Sequence, residues 1–229
     1  MDLSLVLPAL NEAENLPPLL KNTKAVLDNL AISYEIIVVD NGSSDNTAEV
    51  LELLKKEIPE LKTVIVPRNI GFGNGILQGL YVSQGKVLGF MDADGQIEPR
   101  CLAEVYLNLK TKGLDFCKGV RLTRGDGWLR YAASKAYNLL FKLLFGGNIN
   151  DLGGKPKVFT REFYEKVAPI SKDWFLDTEI AIKMIKQGGK MEEMPNSFLV
   201  RSGGRSKVRL STVWEFLKNM FYWRFFKNY

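Results

Sequence analysis

The chain has 229 residues, 46% of them hydrophobic, enough to bury the core of one large α/β domain or two small ones. It has 31 Lys and Arg, 26 Asp and Glu and no histidine, which excludes Ser-His and Cys-His nucleophiles and histidine-bound zinc and leaves chemistry to carboxylates, Lys, Tyr and a metal. Two cysteines, Cys101 and Cys117, lack metal-ligand spacing and are expected as plain thiols.

Leu3 to Leu7 is a short apolar run stopped by Pro8, and Leu16, Leu19, Leu20, Val26, Leu27 and Leu30 then recur at near-helical spacing. Ile36 to Val39 is a β-branched run ending at Asp40, so the start of the chain reads β-α-β. Ser44, Asp45 and Asn46 offer a helix start, and Thr63 to Val66 gives a third strand. Gly71-Phe72-Gly73-Asn74-Gly75 opens the next helix. A dinucleotide fingerprint belongs at the first strand-helix turn with spacing G-x-G-x-x-G, so place and spacing both argue against NAD. A tight turn near a nucleotide or a plain helix start remains. Val87 to Met91 is the fourth strand, and four strands separated by helices predict a mostly parallel, doubly wound sheet.

That fourth strand runs into Asp92-Ala93-Asp94-Gly95-Gln96. Alternating side chains let both carboxylates point the same way at the carboxyl edge of the sheet, where open α/β folds bind ligands. Two hard oxygen donors there suit a divalent cation that completes its shell with water and a diphosphate. Asp40 ends a neighbouring strand at the same edge, where a carboxylate can accept hydrogen bonds from a ribose or a base.

Charge divides the chain. Residues 1–117 carry 10 basic and 16 acidic groups, net −6, while residues 118–229 carry 21 and 10, net +11. An acidic half holding the Asp pair suits a cation, and a basic half suits anionic phosphates. In the basic half a helix is expected from Trp128 to Phe145, with Arg130 and Ser134 on one face able to grip a phosphate and an apolar remainder that reads as partly interfacial. Trp174 to Ile180 contains Asp177 and Glu179, either of which can lie near a reaction centre, with helix capping as the other role for Asp177. Arg201-Ser202-Gly203-Gly204-Arg205-Ser206-Lys207 is a basic glycine loop able to close over anionic oxygens. Val213 to Lys227 is aromatic and basic with a polar stripe of Glu215, Lys218, Asn219 and Tyr222. It is too short to span a bilayer and suits a helix lying among lipid headgroups, with a buried helix or an oligomer contact as alternatives.

Pro8-Ala9-Leu10-Asn11-Glu12, Val38-Val39-Asp40-Asn41-Gly42-Ser43-Ser44-Asp45 and Met91-Asp92-Ala93-Asp94-Gly95-Gln96, in that order at strand ends, resemble the inverting family 2 glycosyltransferases of GT-A fold. Within that family the chain looks most like the dolichyl-phosphate mannose synthase group. The resemblance implies that Asp92, Asp94 and Gln96 hold Mg²⁺ or Mn²⁺. It implies that Pro8, Leu10, Asn11, Glu12, Asp40, Asp92 and Ala93 line the nucleotide-sugar pocket, and that Arg121, Arg130, Ser134, Arg201, Ser206 and Lys207 contact the acceptor phosphate. Gly95 departs from the bulkier residue usual there.

The reaction expected from the resemblance is transfer of a sugar, mannose from GDP-mannose first, to a polyprenyl (dolichyl) phosphate with inversion. A UDP-sugar donor, a polysaccharide acceptor, or a non-catalytic basic lipid-binding module are the alternatives. The expected layout is a GT-A domain over 1–207, with a nucleotide-sugar and metal half (1–117) and an acceptor half (118–207), then a membrane-associating helix over 208–229. With no spanning run and no signal peptide in the sequence, the expectation is a cytoplasmic protein attached peripherally to the membrane face, with no nucleic-acid partner.

Overall fold

Near-continuous apolar runs put the first strands at the centre of a sheet buried on both faces. The computed structural model describes residues 1–121, 128–196 and 210–227. In chain order the elements are β1 (Leu3–Ala9), α1 (Leu16–Asp28), β2 (Tyr34–Asp40), α2 (Thr47–Glu57), β3 (Leu61–Ile65), α3 (Phe72–Val82) and β4 (Val87–Phe90). They continue with α4 (Pro99–Lys112), β5 (Phe116–Arg121), α5 (Trp128–Phe145), β6 (Lys157–Thr160), α6 (Arg161–Val167), α7 (Leu176–Lys186), β7 (Met191–Asn196) and α8 (Leu210–Phe225).

The sheet order is β3-β2-β1-β4-β6-β5-β7. Strands β1 to β4 run parallel, β6 is antiparallel to both β4 and β5, and β7 runs parallel to β5. The mostly parallel, helix-flanked sheet is the one expected. The chain winds outward from β1 through β2 to β3, then returns by α3 to place β4 on the other side of β1. That reversal opens a crevice at the carboxyl ends of β1 and β4, the position at which doubly wound sheets take their ligands.

Two cores form, one on each face. Leu3, Leu5, Leu7, Ile36 and Val38 face α1, α2 and α4, whose Leu102, Val105, Tyr106 and Leu109 follow helical spacing. Val6, Ile37, Val39, Leu88 and Phe90 face the opposite layer, built from α3 and α5 to α8.

The last helix is seated in this second core. Met220 and Trp223 are buried, Trp223 packs on Phe175 at 5.9 Å and Phe216 on Tyr137 at 5.0 Å. The polar stripe is therefore divided. Lys218 and Tyr222 face out, while Asn219 donates to Asp173 Oδ2 at 3.0 Å and Glu215 lies beside the same carboxylate. Burial and the neighbouring Asp173 both push the Glu215 carboxyl up. The outer face carries Trp214, Phe221, Phe225 and Phe226, all exposed.

Candidate active site

Strand register brings the acidic residues to one edge. Ala9 pairs with Asp40 across β1 and β2, and Val6 pairs with Phe90 across β1 and β4, so Asp92, two residues beyond Phe90, emerges beside the ends of β1 and β2. Strand β5 points the same way as β4, which puts Arg121, its last residue, at this edge too.

The turn after β4 explains Gly95. Asp94 Oδ1 accepts the backbone N–H of Gln96 at 3.1 Å, and Gly95 between them has φ +72°, a conformation costly for a residue with a Cβ. The absent side chain is thus a backbone requirement that folds the two carboxylates and Gln96 into one turn.

Asp92 faces a buried ion-pair cluster. Lys155 Nζ lies 3.6 Å from Asp92 Oδ1 and 3.0 Å from Asp177 Oδ2, and Lys157 Nζ is 2.6 Å from Asp177 Oδ1. Lys155 also stands 4.9 Å above the Phe72 ring. Burial alone would raise the Asp177 carboxyl, but the two lysines outweigh it and hold it below the usual carboxylate range. Burial likewise works against charge on Lys155, yet Asp177 and Asp92 keep it raised. Lys157 is pushed down to about 7 by burial and by Lys155 and Lys118, which Asp177 only partly offsets. Asp177 does not cap its helix; it is the hub of this cluster.

Glu179 is turned elsewhere. It is fully buried, accepts the N–H groups of Ile170 (2.9 Å) and Ser171 (2.7 Å), and pairs with Lys183 at 2.7 Å. It fixes the loop 170–175 by its main chain. That loop then caps α3: Gly73 N–H donates to Asp173 O at 3.1 Å and Asn74 N–H to Lys172 O at 2.8 Å. A Cβ at Gly71 would lie 2.2 Å from Lys172 O, and one at Gly73 2.4 Å from Ser171 O. The glycine run therefore admits a loop, and Trp174 stacks on Phe72 at 4.2 Å to close the contact.

Other expected pocket residues serve as stitches between strand ends. Asn11, at φ +54°, accepts the Ser44 N–H at 2.7 Å, and Glu12 N–H donates to Thr47 Oγ1 at 3.1 Å, tying the turn after β1 to the turn after β2. Asp40, nearly buried, accepts the Ser43 N–H at 2.9 Å. Pro8 lies against Gly75 of α3, Leu10 is half-buried, and Ala93 is buried between the two aspartates.

At the end of β5, Arg121 and Ser134 line one groove with Tyr131, Lys135 and Asn150. Asp151 grips Arg121 in a fork, 2.7 Å to Nε and 2.6 Å to Nη2, which fixes the guanidinium plane. Burial tends to raise the Asp151 carboxyl, but Arg121 and Lys118 hold it well below the usual range. The side chain of Arg130, and Arg201, Ser206 and Lys207, lie outside the described residues. Lys155, Lys157 and Asp151 are not apparent in the sequence reading. The one signal for the lysines is their alternation in Lys155-Pro156-Lys157 before Val158-Phe159, which puts both on one face.

The family model described as Glycosyl transferase family 2 matches residues 4–168, a stretch that holds the ends of β1, β2, β4 and β5 at this edge. The chain belongs to glycosyl transferase family 2. Among curated family relatives it is 33% identical over 163 residues to undecaprenyl-phosphate 4-deoxy-4-formamido-L-arabinose transferase of Serratia proteamaculans (strain 568), covering 71% of this chain and 50% of that protein. The chain thus spans about half the length of that relative. Solved structures of similar fold include glucosyl-3-phosphoglycerate synthase from Mycobacterium tuberculosis with Mn²⁺, UDP and glucosyl-3-phosphoglycerate, at TM-score 0.77 and 21% identity over 97% of this chain and 79% of that one. The same synthase with phosphoglyceric acid gives TM-score 0.77 and 20% identity, over 97% and 79%. These likenesses show the GT-A fold.

Proposed function

We propose that the chain transfers a sugar from a nucleotide sugar to a polyprenyl phosphate, with inversion at the anomeric carbon and with Mg²⁺ or Mn²⁺ as cofactor. One observation carries this reading: Asp92 stands at the β1/β4 switch point against a buried lysine, on the same sheet edge as the Arg121 and Ser134 groove. The relatives support it. The curated relative is by name an undecaprenyl-phosphate 4-deoxy-4-formamido-L-arabinose transferase, and one of the structural neighbours holds Mn²⁺ with UDP. GDP-mannose is the first donor to test, on the mannose synthase resemblance, and UDP-glucose the second, on the neighbours that hold it.

The donor set fits a cation that is shared with substrate. Among the described residues no cluster of three or more acidic, Cys or His groups could hold an ion alone. Asp92, Asp94 and Gln96 would supply part of the shell, and the diphosphate and water the rest, as Mg²⁺ prefers. When bound, the metal neutralises charge on the leaving diphosphate. Asp177, kept ionised by its lysines, orients rather than accepts a proton. An acceptor phosphate is largely ionised near neutral pH. Its oxygen attacks the anomeric carbon opposite the diphosphate; the carbon–oxygen bond to the diphosphate breaks, and the nucleoside diphosphate leaves with the electron pair. No proton needs to move. Arg121 and Ser134 orient the phosphate, joined by Arg130, Arg201, Ser206 and Lys207 on the strength of the family resemblance.

The outer face of α8, with Trp214, Phe221, Phe225 and Phe226 beside Lys218, Arg224 and Lys227, is proposed to rest on an anionic membrane surface. No helix among the described residues is long and apolar enough to cross a membrane.

Radiolabelled GDP-mannose, UDP-glucose and UDP-N-acetylhexosamines, each incubated with polyprenyl phosphate and Mg²⁺ or Mn²⁺, test the reaction. Lipid-extractable label is expected with one donor and not with Asp92→Asn; no label with any donor would overturn the reading. Because α8 carries core residues, flotation with vesicles is best compared between the wild type and a Trp214→Ala, Phe225→Ala, Phe226→Ala variant rather than a truncation. Equal flotation of the two would refute the membrane assignment.

A further inference from the structure

Two lysines face the single Asp177 carboxylate: Lys157 pairs with it at 2.6 Å, and both partners are buried. Lys155 adds a second ammonium, 4% exposed, anchored at 3.0 Å to Asp177 and held over Phe72. A buried cation beyond the need of its partner is costly unless another anion faces it. The anion it faces is Asp92, at 3.6 Å, an attraction of charge too long for a hydrogen bond.

We propose that Lys155 is a donor-binding residue that links the metal to the nucleotide: it opposes metal binding to the nucleotide-free enzyme and attracts the donor diphosphate once the metal is in place. The inference rests on the metal site proposed above. Its direction follows from sign alone: an ammonium 3.6 Å from Asp92 opposes a divalent cation seated on that carboxylate and attracts a diphosphate bound beside it. Without Lys155 a bare metal is held more strongly, and the loaded site draws the diphosphate less. The lysine therefore favours arrival of metal and nucleotide together over metal alone. A lysine that merely braced Asp177 would not move the two affinities in opposite directions.

The test measures Mn²⁺ binding to the full chain by the electron paramagnetic resonance of free Mn²⁺, without and with GDP or UDP. Wild type is compared with Lys155→Gln, Lys155→Met and Lys155→Arg. The neutral variants are expected to bind Mn²⁺ alone about tenfold more tightly, the order of magnitude for one unit charge acting on a nearby divalent ion under strong screening. They should bind the nucleoside diphosphate about tenfold more weakly when Mn²⁺ is saturating, and Lys155→Arg should stay near the wild type in both. Neutral variants that bind Mn²⁺ no more tightly than the wild type, or lose affinity for both, overturn the role of Lys155. A wild type that binds no Mn²⁺ with or without nucleotide overturns the metal site itself, which separates the two failures.

Discussion

Glu179 and Asp177 lie two residues apart on α7, and their surroundings assign them different work, which a single substitution can separate. In Glu179→Gln the side chain keeps its shape and one acceptor oxygen, but an NH₂ now faces one of the Ile170 and Ser171 N–H groups, 2.7–3.1 Å away in the wild type. Leaving one buried donor unsatisfied costs ~1–3 kcal/mol. Loss of the Lys183 pair adds ~1 kcal/mol. It adds no more because Lys183 also donates to Ala168 O at 2.9 Å. The sum, ~2–4 kcal/mol, corresponds to a fall in Tm of about 5–15 °C for a chain of this size. Thermal unfolding by circular dichroism measures it, alongside sugar-transfer assays below the transition. Loosening of the loop 170–175 should raise KM for the donor while turnover remains measurable. A variant that melts within about 2 °C of the wild type but has lost all turnover would refute this reasoning and put Glu179 at the reaction centre.

Gly73→Ala would set a Cβ 2.4 Å from Ser171 O and 2.6 Å from Asp173 O, so a loss of ~1–3 kcal/mol in urea unfolding is expected, with weaker nucleotide binding by calorimetry. Wild-type stability with bound nucleotide unchanged would count against the loop contact. Asp151→Asn should cost about 3 kcal/mol at pH 6 by breaking the grip on Arg121. Because the folded Asp151 carboxyl lies below its unfolded value of about 3.9, its contribution is present above that pH and fades as pH falls through the folded value. The gap between wild type and Asp151→Asn should therefore narrow between pH 6 and pH 3, and a gap that widens would contradict the assignment. The acid limb of kcat/KM should follow the second ionisation of the acceptor phosphate, near pH 6, since Asp177 stays ionised throughout that range. A phosphonate acceptor of higher pKa should move that limb upward, and an unmoved limb would point to a protein group.

The half of the fold that holds the Asp40 and Asp92 edge was legible because burial on both faces writes strands β1, β2 and β4 as apolar runs. The bounds of α5 also match the expected Trp128 to Phe145. Strands β6 and β7 were not read. Their Lys157, Glu192, Glu193 and Pro195 resemble a solvated turn, and only tertiary partners make them strands: Lys157 meets Asp177, and Glu193 meets the buried Lys118 at 3.0 Å. The same holds at the site. Asp92 and Asp94 announce themselves by spacing, whereas Lys155 acquires meaning only when β6 is laid beside β4. Gly71 and Gly73 suggested a nucleotide turn because the loop that needs them lies about a hundred residues further on. For α8 the pattern gave the helix but not its rotation, since aromatic residues populate both its faces and only packing shows which of them are covered.

The loop 170–175 is fixed largely through its own main chain, by Glu179 from one side and by α3 from the other. Its outward side chains, the exposed Ile170 and Lys172, hold none of those contacts. Evolution can therefore rewrite these positions beside the proposed active edge with little loss of stability. A scaffold of this kind separates the residues that keep a loop in place from those free to diversify, and it offers directed evolution a pair of positions where variation starts from an intact fold.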